Sequence, residues 1–315
     1  MSVLSKAYFH NEAAAFTYLE SVVWSDGVVC PHCGVVGGRV YDLADVRGSI
    51  SKKNPECAIR YGLKKCGECR QQFTVKVGTV FEHGRIPLHK MLQAVYLMTS
   101  SKEGISAHQL HRTLEITYKS AWFLAHRIRE AMRDGLLAPF GGEGGDVQVD
   151  ETYYGNIAEK APKARGFGHK MRIVSLLDKR TGATRSVYAP SLGMGQVSEI
   201  VRNNVLQESH LVSDESRYYW TVGKEFAGHT KVFHGAGNYV KDGRTTNDLE
   251  GFFSIFKRGM RGVYQHCSEK HLHRYLAEFD FRYSNRSANG FDDVLRSVEA
   301  MKGITGKRLM YKGAN

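Results

Sequence analysis

The 315-residue sequence contains little proline and lacks any long apolar run. Its 6 Pro and 42% hydrophobic residues are typical of a globular chain rather than a disordered one. No apolar run approaches the roughly 18 residues of a membrane span, and no charged start leads into an apolar stretch. We therefore expect neither a membrane protein nor a secreted one, and the sequence favours a soluble cytoplasmic protein.

Acidic residues are fewer than basic ones. The chain has 44 Lys and Arg against 32 Asp and Glu, which gives a formal net charge of +12. The excess is shared along the chain, about +3 in residues 1–85, +3 in 86–140 and +6 in 141–315. Such a distributed charge indicates a long polyanion such as DNA as the partner, rather than one small anionic ligand.

Cysteine is concentrated near the start of the chain, since five of the six cysteines fall in the first 69 residues. Four of them form two C-x-x-C pairs with 32 residues between the pairs: Cys30, Cys33, Cys66 and Cys69. Four thiolates can surround one tetrahedral Zn²⁺, and a segment too short to bury much apolar surface gains folding free energy from such a metal. We expect a structural Zn²⁺ here, with free thiols or disulfides as the alternatives.

Three further residues are of types that can bind zinc. His32 lies inside the first pair and is an alternative ligand, although exposure at the loop tip is the expected state. Cys57 lies between the pairs and Cys267 far from them, and both are expected to be ordinary thiols.

Residues 86–140 have the periodicity of helices. Apolar residues recur at helical spacing from Pro87 to Ser100, and a short helix is predicted to begin at Ile105–Ala107. After a tight connection, a longer helix is predicted over Ala121–Met132. This arrangement resembles a helix-turn-helix, whose second helix would present basic residues to DNA: Lys119, Arg127 and Arg129. Three packed helices without a DNA contact would give the same periodicity.

A glycine-rich run at residues 137–145 interrupts the helical pattern and indicates a domain boundary. We therefore expect three domains. Residues 1–85 would form a zinc ribbon, residues 86–140 a small helical domain of helix-turn-helix type, and residues 141–315 the third domain.

The pattern of the third domain alternates between apolar and polar residues. Val147 and Val149 would face one side of a strand, and Gln148 and Asp150 the other. Further elements are predicted from their composition and spacing: strands at Met171–Leu177, Arg185–Tyr188 and His210–Ser213, and a helix at Val197–Leu206. This order of strands and helices predicts a mixed α/β sheet.

Three carboxylates occur in different settings of this domain. Asp150 and Asp214 follow short β-branched runs, and Glu250 opens a helical segment with 35 residues between it and Asp214. Carboxylates at the ends of adjacent strands open onto one crevice, so the first two are expected to be neighbours. The apolar residues of the helix would pack on the sheet: Leu249, Phe252, Phe253 and Phe256. Such acids suit two Mg²⁺ ions, and Lys257 would offer a positive charge to a phosphate.

Each of these residues also has a structural explanation. Asp150 and Asp214 are suited to turns at strand ends. Asn247 and Glu250 form an N-x-x-E pattern, in which Asn247 would be the N-cap of the helix and Glu250 its N3 residue. Lys257 would then be a solvated surface lysine. The combination of these residues, rather than any one of them, favours a metal site.

Several motifs carry a resemblance to a known family. They are Cys-Pro-His-Cys-Gly, Cys-Gly-Glu-Cys-Arg-Gln-Gln-Phe, Val-Gly-Thr-Val-Phe-Glu at 77–82, Val-Asp-Glu-Thr-Tyr-Tyr-Gly at 149–155, and the long stretch Asn247–Tyr283. By these motifs the chain resembles the DDE-type transposases of bacterial insertion sequences, in the group with an N-terminal zinc ribbon and an ISXO-two-like catalytic domain.

The resemblance implies an RNase H-like catalytic domain. Asp150, Asp214 and Glu250 would hold Mg²⁺ or Mn²⁺, with Lys257 as the accompanying basic residue. In part of the group the third position is Asn, so Asn247 stays a candidate beside Glu250.

The activity implied is that of a DNA transposase, which binds insertion-sequence ends and catalyses metal-dependent cleavage and strand transfer into target DNA. Because two ends must be paired, a homo-oligomer of at least two protomers is expected on DNA. The expected location is the bacterial nucleoid.

Additional residues are expected to contact DNA or to lie near it. The basic candidates after the third acid are Arg258, Lys270 and Arg274. Tyr153 and Tyr154 suggest a tyrosine recombinase, but the acids beside them favour a structural or DNA-stacking role. The segment from Gly155 to Gly166 is interpreted only as a basic loop near DNA.

Two other functions stay open from the sequence. A non-catalytic or domesticated DNA-binding protein would need the ribbon and the helices but not the acids. A hydrolytic nuclease of the RNase H class would keep the acids but yield only cleaved DNA.

Overall fold

The computed structural model describes residues 2–44, 46–48, 58–133, 138–157, 166–191, 193–233 and 240–309. The chain divides into two compact units. The first unit comprises residues 1–100, 106–132 and 293–315, and the second comprises residues 101–105 and 133–292. The predictions for Cys57 and for most of the basic loop after Gly155 concern residues outside the described part of the chain.

Eight α-helices and eight strands lie within the described residues. The helices are α1 (Glu12–Val23), α2 (Leu88–Ser100), α3 (Ala107–Leu114), α4 (Tyr118–Met132), α5 (Met194–Asn204), α6 (Asn247–Gly259), α7 (Glu269–Ser284) and α8 (Asp293–Lys302). The strands are β1 (Val40–Asp42), β2 (Lys64–Cys66), β3 (Gln72–Phe73), β4 (Asp146–Tyr154), β5 (Met171–Asp178), β6 (Thr184–Tyr188), β7 (His210–Ser213) and β8 (Gly228–Lys231).

The first unit combines a small antiparallel ribbon with packed helices. Strand β2 pairs with both β1 and β3. The Glu12 carboxylate accepts hydrogen bonds from the backbone N–H groups of Leu88 (2.7 Å) and His89 (3.1 Å), and so caps the start of α2. Helix α8 packs on α2, where Arg296 Nη1 donates to Thr99 O at 3.1 Å. The three domains predicted from the sequence group the residues differently and stay a prediction.

Helices α2, α3 and α4 occupy the segments with helical periodicity. The Ser106 side chain accepts from Gln109 N at 3.1 Å and caps α3. Glu115 ends α3 in the left-handed conformation, with φ of 51°. Only residues 115–117 separate α3 from α4, so the connection is as tight as the sequence predicts.

The second unit is built on a five-stranded mixed sheet in the order β6-β5-β4-β7-β8. Strands β4, β5 and β6 pair antiparallel, whereas the β4–β7 and β7–β8 pairs are parallel. The predicted mixed α/β sheet is confirmed, and β7 has the predicted bounds. Strand β8 was not predicted, because its sequence Gly-His-Thr-Lys shows no apolar alternation.

The two faces of this sheet bury separate apolar cores. Val147 and Val149 belong to the core that includes α5. Helices α6 and α7 cover the opposite face, with the predicted apolar residues of α6 buried there: Leu249, Phe252, Phe253 and Phe256. This packing brings the first turn of α6 to the face of β4 that carries Gln148. None of the described helices is long and apolar enough to cross a membrane.

Candidate functional site

The four paired cysteines come together in the ribbon of the first unit. Cys30 Sγ lies 3.7 Å from Cys69 Sγ, and Cys33 Sγ lies 3.8 Å from Cys66 Sγ. All four sulfur atoms lie within 4.8 Å of one another. In a tetrahedral site with Zn–S bonds of about 2.3 Å, neighbouring sulfurs are about 3.8 Å apart. The thiol cluster therefore fits a structural Zn²⁺.

The surroundings of Cys30 favour a thiolate, which is the form that binds zinc. Burial raises the pKa of Cys30, but hydrogen bonds from the backbone N–H groups of Cys33 and His32 outweigh it and lower the pKa to about 7. The His32 ring is on the exposed loop tip, where Nε2 lies 3.3 Å from Gln72 O. Cys267 packs against the core under α6 and α7 in the second unit and is not among the clustered thiols.

A second cluster consists of carboxylates on β4 and just after β7. The parallel pairing of these strands ends at Val149 and Ser213, so the next residues, Asp150 and Asp214, are neighbours. Carboxylate oxygens of Asp150, Glu151 and Asp214 lie within 4.8 Å of one another. All three residues are half-buried. We call these three residues the acid cluster.

Asp150 is not at the end of its strand, contrary to the expectation from its apolar run. Strand β4 continues to Tyr154, because its antiparallel pairing with β5 extends as far as Met171. Only β7 ends at this level. The crevice therefore forms where β7 ends while β4 continues beside it.

The carboxylates of the acid cluster are crowded, and burial and their mutual repulsion raise the pKa of Asp150. Burial raises the pKa of Asp150, and the charges of Asp214 and Glu151 raise it further, to about 8. The backbone N–H of Glu151, which donates to Asp150 Oδ1 at 2.7 Å, offsets only part of this effect. A divalent cation would relieve the repulsion, and carboxylate oxygens are its preferred ligands. The cluster therefore fits a divalent metal ion.

Glu151 is a member of this cluster that sequence analysis missed. Alternation along β4 assigns its side chain to the face opposite Asp150, which argued against a shared site. However, β7 ends beside this position, and Asp214 in the following loop reaches both carboxylates. The fully buried Tyr219 donates its hydroxyl to Glu151 Oε2 at 2.6 Å. The only signal in the sequence was the adjacency of Glu151 to Asp150.

Glu250 and Asn247, the two candidates for the third position, both lie on the first turn of α6 and are exposed. The helix begins at Asn247, after the N-cap residue Thr246, whose side chain makes no capping hydrogen bond. The capping-box alternative for Asn247 is therefore wrong, because the helix starts one residue earlier than it requires. Glu250 is outside the three-carboxylate cluster, yet its charge contributes to the raised pKa of Asp150. It thus lies within electrostatic range of Asp150.

The buried Gln148 side chain fixes the start of α6 against β4. Its Nε2 donates to Asp248 Oδ2 at 2.9 Å, and its Oε1 accepts from Leu249 N at 3.3 Å. Lys179 forms an ion pair with the same Asp248 carboxylate. Because Gln148 is two residues before Asp150 on the same face of β4, it sets the distance between Asp150 and the helix that carries Glu250.

The charge of Asp150 also affects the pKa of Lys257, at the other end of α6. Burial and the nearby Arg261 lower the pKa of Lys257, while Asp150 partly restores it. The lysine and Glu250 therefore lie at opposite ends of one helix, and both are within electrostatic range of Asp150.

The residues expected to contact DNA differ in burial. Lys119, Arg258 and Lys270 are exposed, and Arg274 is half-buried. Arg127 and Arg129, in contrast, are only 9% and 3% exposed.

The outward orientation predicted for Arg127 and Arg129 is therefore corrected. Arg127 Nη1 donates to Glu82 O at 2.8 Å, and its guanidinium lies 4.8 Å from the centre of the Phe123 ring. Both arginines are buried, although residues two apart on a helix point in nearly opposite directions. Helical periodicity alone did not reveal this, because α4 is buried over most of its circumference.

The thiol cluster and the acid cluster each lie in a segment that matches a known transposase domain. Residues 10–72 match the transposase zinc-ribbon domain, and residues 143–284 match the ISXO2-like transposase domain. A curated relative, described as an uncharacterized protein in transposable element ISH50 of Halobacterium salinarum, is 26% identical over 298 residues. That alignment covers 87% of this chain and 91% of the relative.

A solved structure also aligns with the chain, but the likeness is too low to carry an argument. It is a chain of the simian T-cell lymphotropic virus intasome in complex with PP2A regulatory subunit B56 gamma, 15% identical with a TM-score of 0.27. The alignment covers 61% of this chain and 65% of that chain.

The thiol cluster in a ribbon and the acid cluster on a mixed sheet define a protein with two groups of residues that fit metal ions, one a structural Zn²⁺ and the other a divalent ion. The two matched domains, in this order, make the chain an insertion-sequence transposase of the ISXO2-like group. The resemblance found in the sequence is thereby confirmed.

Proposed function

We propose that this chain binds the ends of an insertion sequence and catalyses metal-dependent DNA cleavage and strand transfer. The observation that carries the proposal is the acid cluster. Asp150 and Asp214, which have 63 residues between them in the sequence, place their carboxylates within 4.8 Å of each other in a transposase domain. A protein that only binds DNA has no use for half-buried acids that repel one another.

Asp150, Asp214 and Glu250 would hold Mg²⁺ or Mn²⁺, with Asn247 as the alternative third ligand. When bound, two such ions activate the attacking hydroxyl and stabilise the leaving oxygen of a phosphodiester. Gln148 keeps the first turn of α6 close to Asp150, and Tyr219 orients Glu151 beside the ligands. Lys257 supplies a positive charge for a phosphate oxygen.

The reaction we propose has two displacements at phosphorus. Water first hydrolyses the phosphodiester at an element end and leaves a 3′ hydroxyl. That hydroxyl then attacks a target phosphodiester in line, so that a new bond forms between the element and the target while a target strand is released. No serine or tyrosine nucleophile is required, which agrees with the burial of Tyr154, whose hydroxyl donates to Met260 O at 3.2 Å.

An RNase H-like fold is part of the proposal for residues 141–315. It is supported by the mixed sheet. In that sheet β4 carries Asp150, and the neighbouring strand β7 ends just before Asp214. Helix α6, which carries Glu250, covers one face of that sheet. The family resemblance assigns the same three acids to such a fold.

DNA binding by the first unit is proposed to use the helix-turn-helix formed by α3 and α4. Recognition helices contact bases through their N-terminal residues, and Lys119 is exposed in the first turn of α4. The zinc ribbon would support the same function. In the second unit, Arg258, Lys270 and Arg274 are proposed to contact the DNA backbone.

Assembly and location follow from the same function. Two element ends must be held together, so we propose a homo-oligomer of at least two protomers on DNA. A positively charged transposase of this kind would act on the bacterial nucleoid.

A strand-transfer assay tests the proposal. The purified chain, with Mg²⁺, is incubated with labelled DNA from each flank of its gene and with a plasmid target. We expect joined products from the wild type, loss of joining in Asp150→Ala, and unchanged joining in Glu199→Gln, which removes an exposed carboxylate on α5.

The other outcomes of this assay discriminate the alternatives. Undiminished joining by Asp150→Ala would rule out the proposed site. Cleaved products without joined ones would identify a hydrolytic nuclease, and DNA binding without either reaction would identify a non-catalytic protein.

A further inference from the structure

A cavity of about 380 Å³ lies in the second unit where the C-terminal end of β4 meets the last turn of α6. Five of its lining residues carry distinctive chemistry: Tyr153, Phe167, Lys170, Lys257 and Arg261. We call this cavity the aromatic-cationic pocket. Arg261 belongs to a short π-helical segment, Met260–Tyr264, that continues α6, and such segments frequently occur at functional sites.

The aromatic side of the pocket offers a flat apolar surface. Tyr153 and Phe167 stack with their ring centres 4.6 Å apart and their planes 17° apart. Phe167 remains 62% exposed, the largest exposed fraction among the large hydrophobic residues of the described chain. An exposed ring that is backed by a second ring is a rigid platform on which another flat group can stack.

Three other residues that line the pocket are positively charged: Lys170, Lys257 and Arg261. Lys257 and Arg261 are four residues apart at the end of α6, and like charges at this spacing repel each other. Burial and Arg261 together lower the pKa of Lys257. Lys170 adds a third cation, held by a 3.0 Å hydrogen bond to Asn156 Oδ1. Among the described residues that line the pocket, none is acidic. An anion would relieve this repulsion.

The pocket is adjacent to the acid cluster. Lys257 lines the pocket, and the charge of Asp150 acts on its pKa. Tyr153 is two residues after Glu151 on the same face of β4, so the two side chains are neighbours along the strand. A group bound in the pocket would therefore lie next to the phosphodiester that the acid cluster acts on.

We propose that the aromatic-cationic pocket holds one unpaired nucleotide of the DNA substrate, with its base on Phe167 and its phosphate between Lys170 and Arg261. The proposal rests on the proposed function, since it places this nucleotide beside the reacting bond. A base can stack on Phe167 only after it has left the duplex stack. The volume of about 380 Å³ is at the small end of ligand pockets and suits one nucleotide rather than a duplex.

Binding measurements on the full chain test this proposal without requiring catalysis. Fluorescence anisotropy, in the absence of Mg²⁺, compares a short blunt duplex with the same duplex extended by unpaired thymidines at its 3′ or its 5′ end. We expect the wild type to bind one of the extended duplexes about tenfold more tightly than the blunt one, as base–aromatic stacking predicts. Equal affinity for all three duplexes would overturn the proposal.

Matched substitutions locate the preference in the pocket. Phe167→Trp keeps a stacking ring and should retain the preference, whereas Phe167→Leu keeps apolar volume without a ring and should lose it. Arg261→Gln should weaken binding of the extended duplex more than Lys302→Gln, which removes an exposed cation on α8. If Phe167→Leu weakens the blunt and the extended duplex equally, with unchanged thermal unfolding, the pocket does not bind an unpaired nucleotide.

A further arm distinguishes nucleotides in DNA from free nucleotides. Free thymidine monophosphate should compete weakly with the extended duplex, because it lacks the contacts of the neighbouring DNA. If free thymidine monophosphate competes at concentrations near the dissociation constant of the extended duplex, the pocket is a site for soluble nucleotides and the proposal is overturned. Loss of strand transfer in Asp150→Ala tests the proposed function independently, so the two ideas fail separately.

Discussion

The thiol cluster and the acid cluster differ in how their ligands are distributed along the chain. The four sulfurs come from two C-x-x-C pairs and reach tetrahedral spacings of 3.7 and 3.8 Å. The carboxylates come from one strand and the loop after another, with a helix nearby, and only Asp150, Glu151 and Asp214 reach within 4.8 Å. The first site is closed by four like ligands, whereas the second is open on the side of α6.

This difference teaches why one site was easier to predict. A C-x-x-C pair places two sulfurs on one turn, so most of the ligand geometry is local. The acid cluster depends on strand order and register, which no short motif specifies. An open site also leaves room for a substrate, while a closed tetrahedral site serves the fold alone.

The largest effect is expected for the thiol cluster. Cys66→Ser removes a fully buried ligand, and structural zinc in such domains supplies on the order of 10 kcal/mol of folding free energy. We expect the variant to lose its bound zinc and its ribbon to become sensitive to protease. Zinc content by mass spectrometry and limited proteolysis measure this.

Cys267→Ser is the control for the loss of a thiol, because Cys267 packs elsewhere and should leave the zinc content unchanged. Full zinc content in Cys66→Ser would show that the thiol cluster does not hold the metal.

The next effect concerns the open side of the acid cluster. Glu250→Gln removes the proposed third ligand, and we expect strand transfer to fall by more than about 100-fold, since even residues outside the ligand set can cost 10- to 100-fold. Folding should be unchanged, because Glu250 is exposed. Joined products and the thermal unfolding midpoint are the two measurements.

Asn247→Ala is the matched comparison on the same turn of α6. We expect it to reduce strand transfer less than Glu250→Gln does. The reverse order of effects would make Asn247, rather than Glu250, the third ligand.

A smaller effect is expected at Glu151, the acid that the sequence did not single out. Tyr219→Phe removes the 2.6 Å hydrogen bond to Glu151 Oε2 and keeps the ring. As a positioning residue, Tyr219 should contribute about tenfold to strand transfer at limiting Mg²⁺. The Mg²⁺ concentration for half-maximal activity should rise, and saturating Mg²⁺ should restore most of the rate.

A loss of activity that is independent of Mg²⁺ concentration would contradict this role of Tyr219 and indicate a general structural defect. Tyr188→Phe serves as the control, because its hydroxyl donates to the carboxylate of Glu269, which is outside the acid cluster.

The last effect changes stability rather than activity, because Asp280 belongs to neither cluster. Asp280, on α7, accepts hydrogen bonds from Ser186 N (2.8 Å) and Oγ (2.7 Å). Burial outweighs these bonds and raises the pKa of Asp280 to about 7. Because the folded pKa exceeds the value of about 3.9 in the unfolded chain, its stabilising contribution is complete below pH 4 and is lost as the pH rises through 7.

Asp280→Asn removes this titration. The urea midpoint of the wild type, relative to that of the variant, should therefore decrease from pH 5 to pH 8. The exposed Asp26→Asn is the control and should show no such trend relative to the wild type. A constant difference between wild type and Asp280→Asn across this range would contradict the prediction.

Sequence patterns predicted most of the elements, with β7 placed at its observed bounds. They failed where pairing or packing, rather than local pattern, determines structure. Strand β8 exists because it pairs in parallel with β7, although its own sequence has no strand signal. Arg127 looks like a surface cation in the sequence, yet its hydrogen bond to the Glu82 carbonyl makes it a buried packing residue.

The sequence by itself determined the thiol ligands, the family and the two aspartates of the acid cluster, because motif spacing and residue chemistry specify them. Only the tertiary structure brought Glu151 beside Asp214, because that contact depends on where β7 ends relative to β4. It also placed Tyr153 and Phe167 face to face beside three cations. Local pattern fixes which face of an element a side chain occupies, whereas strand register and helix packing decide which side chains meet.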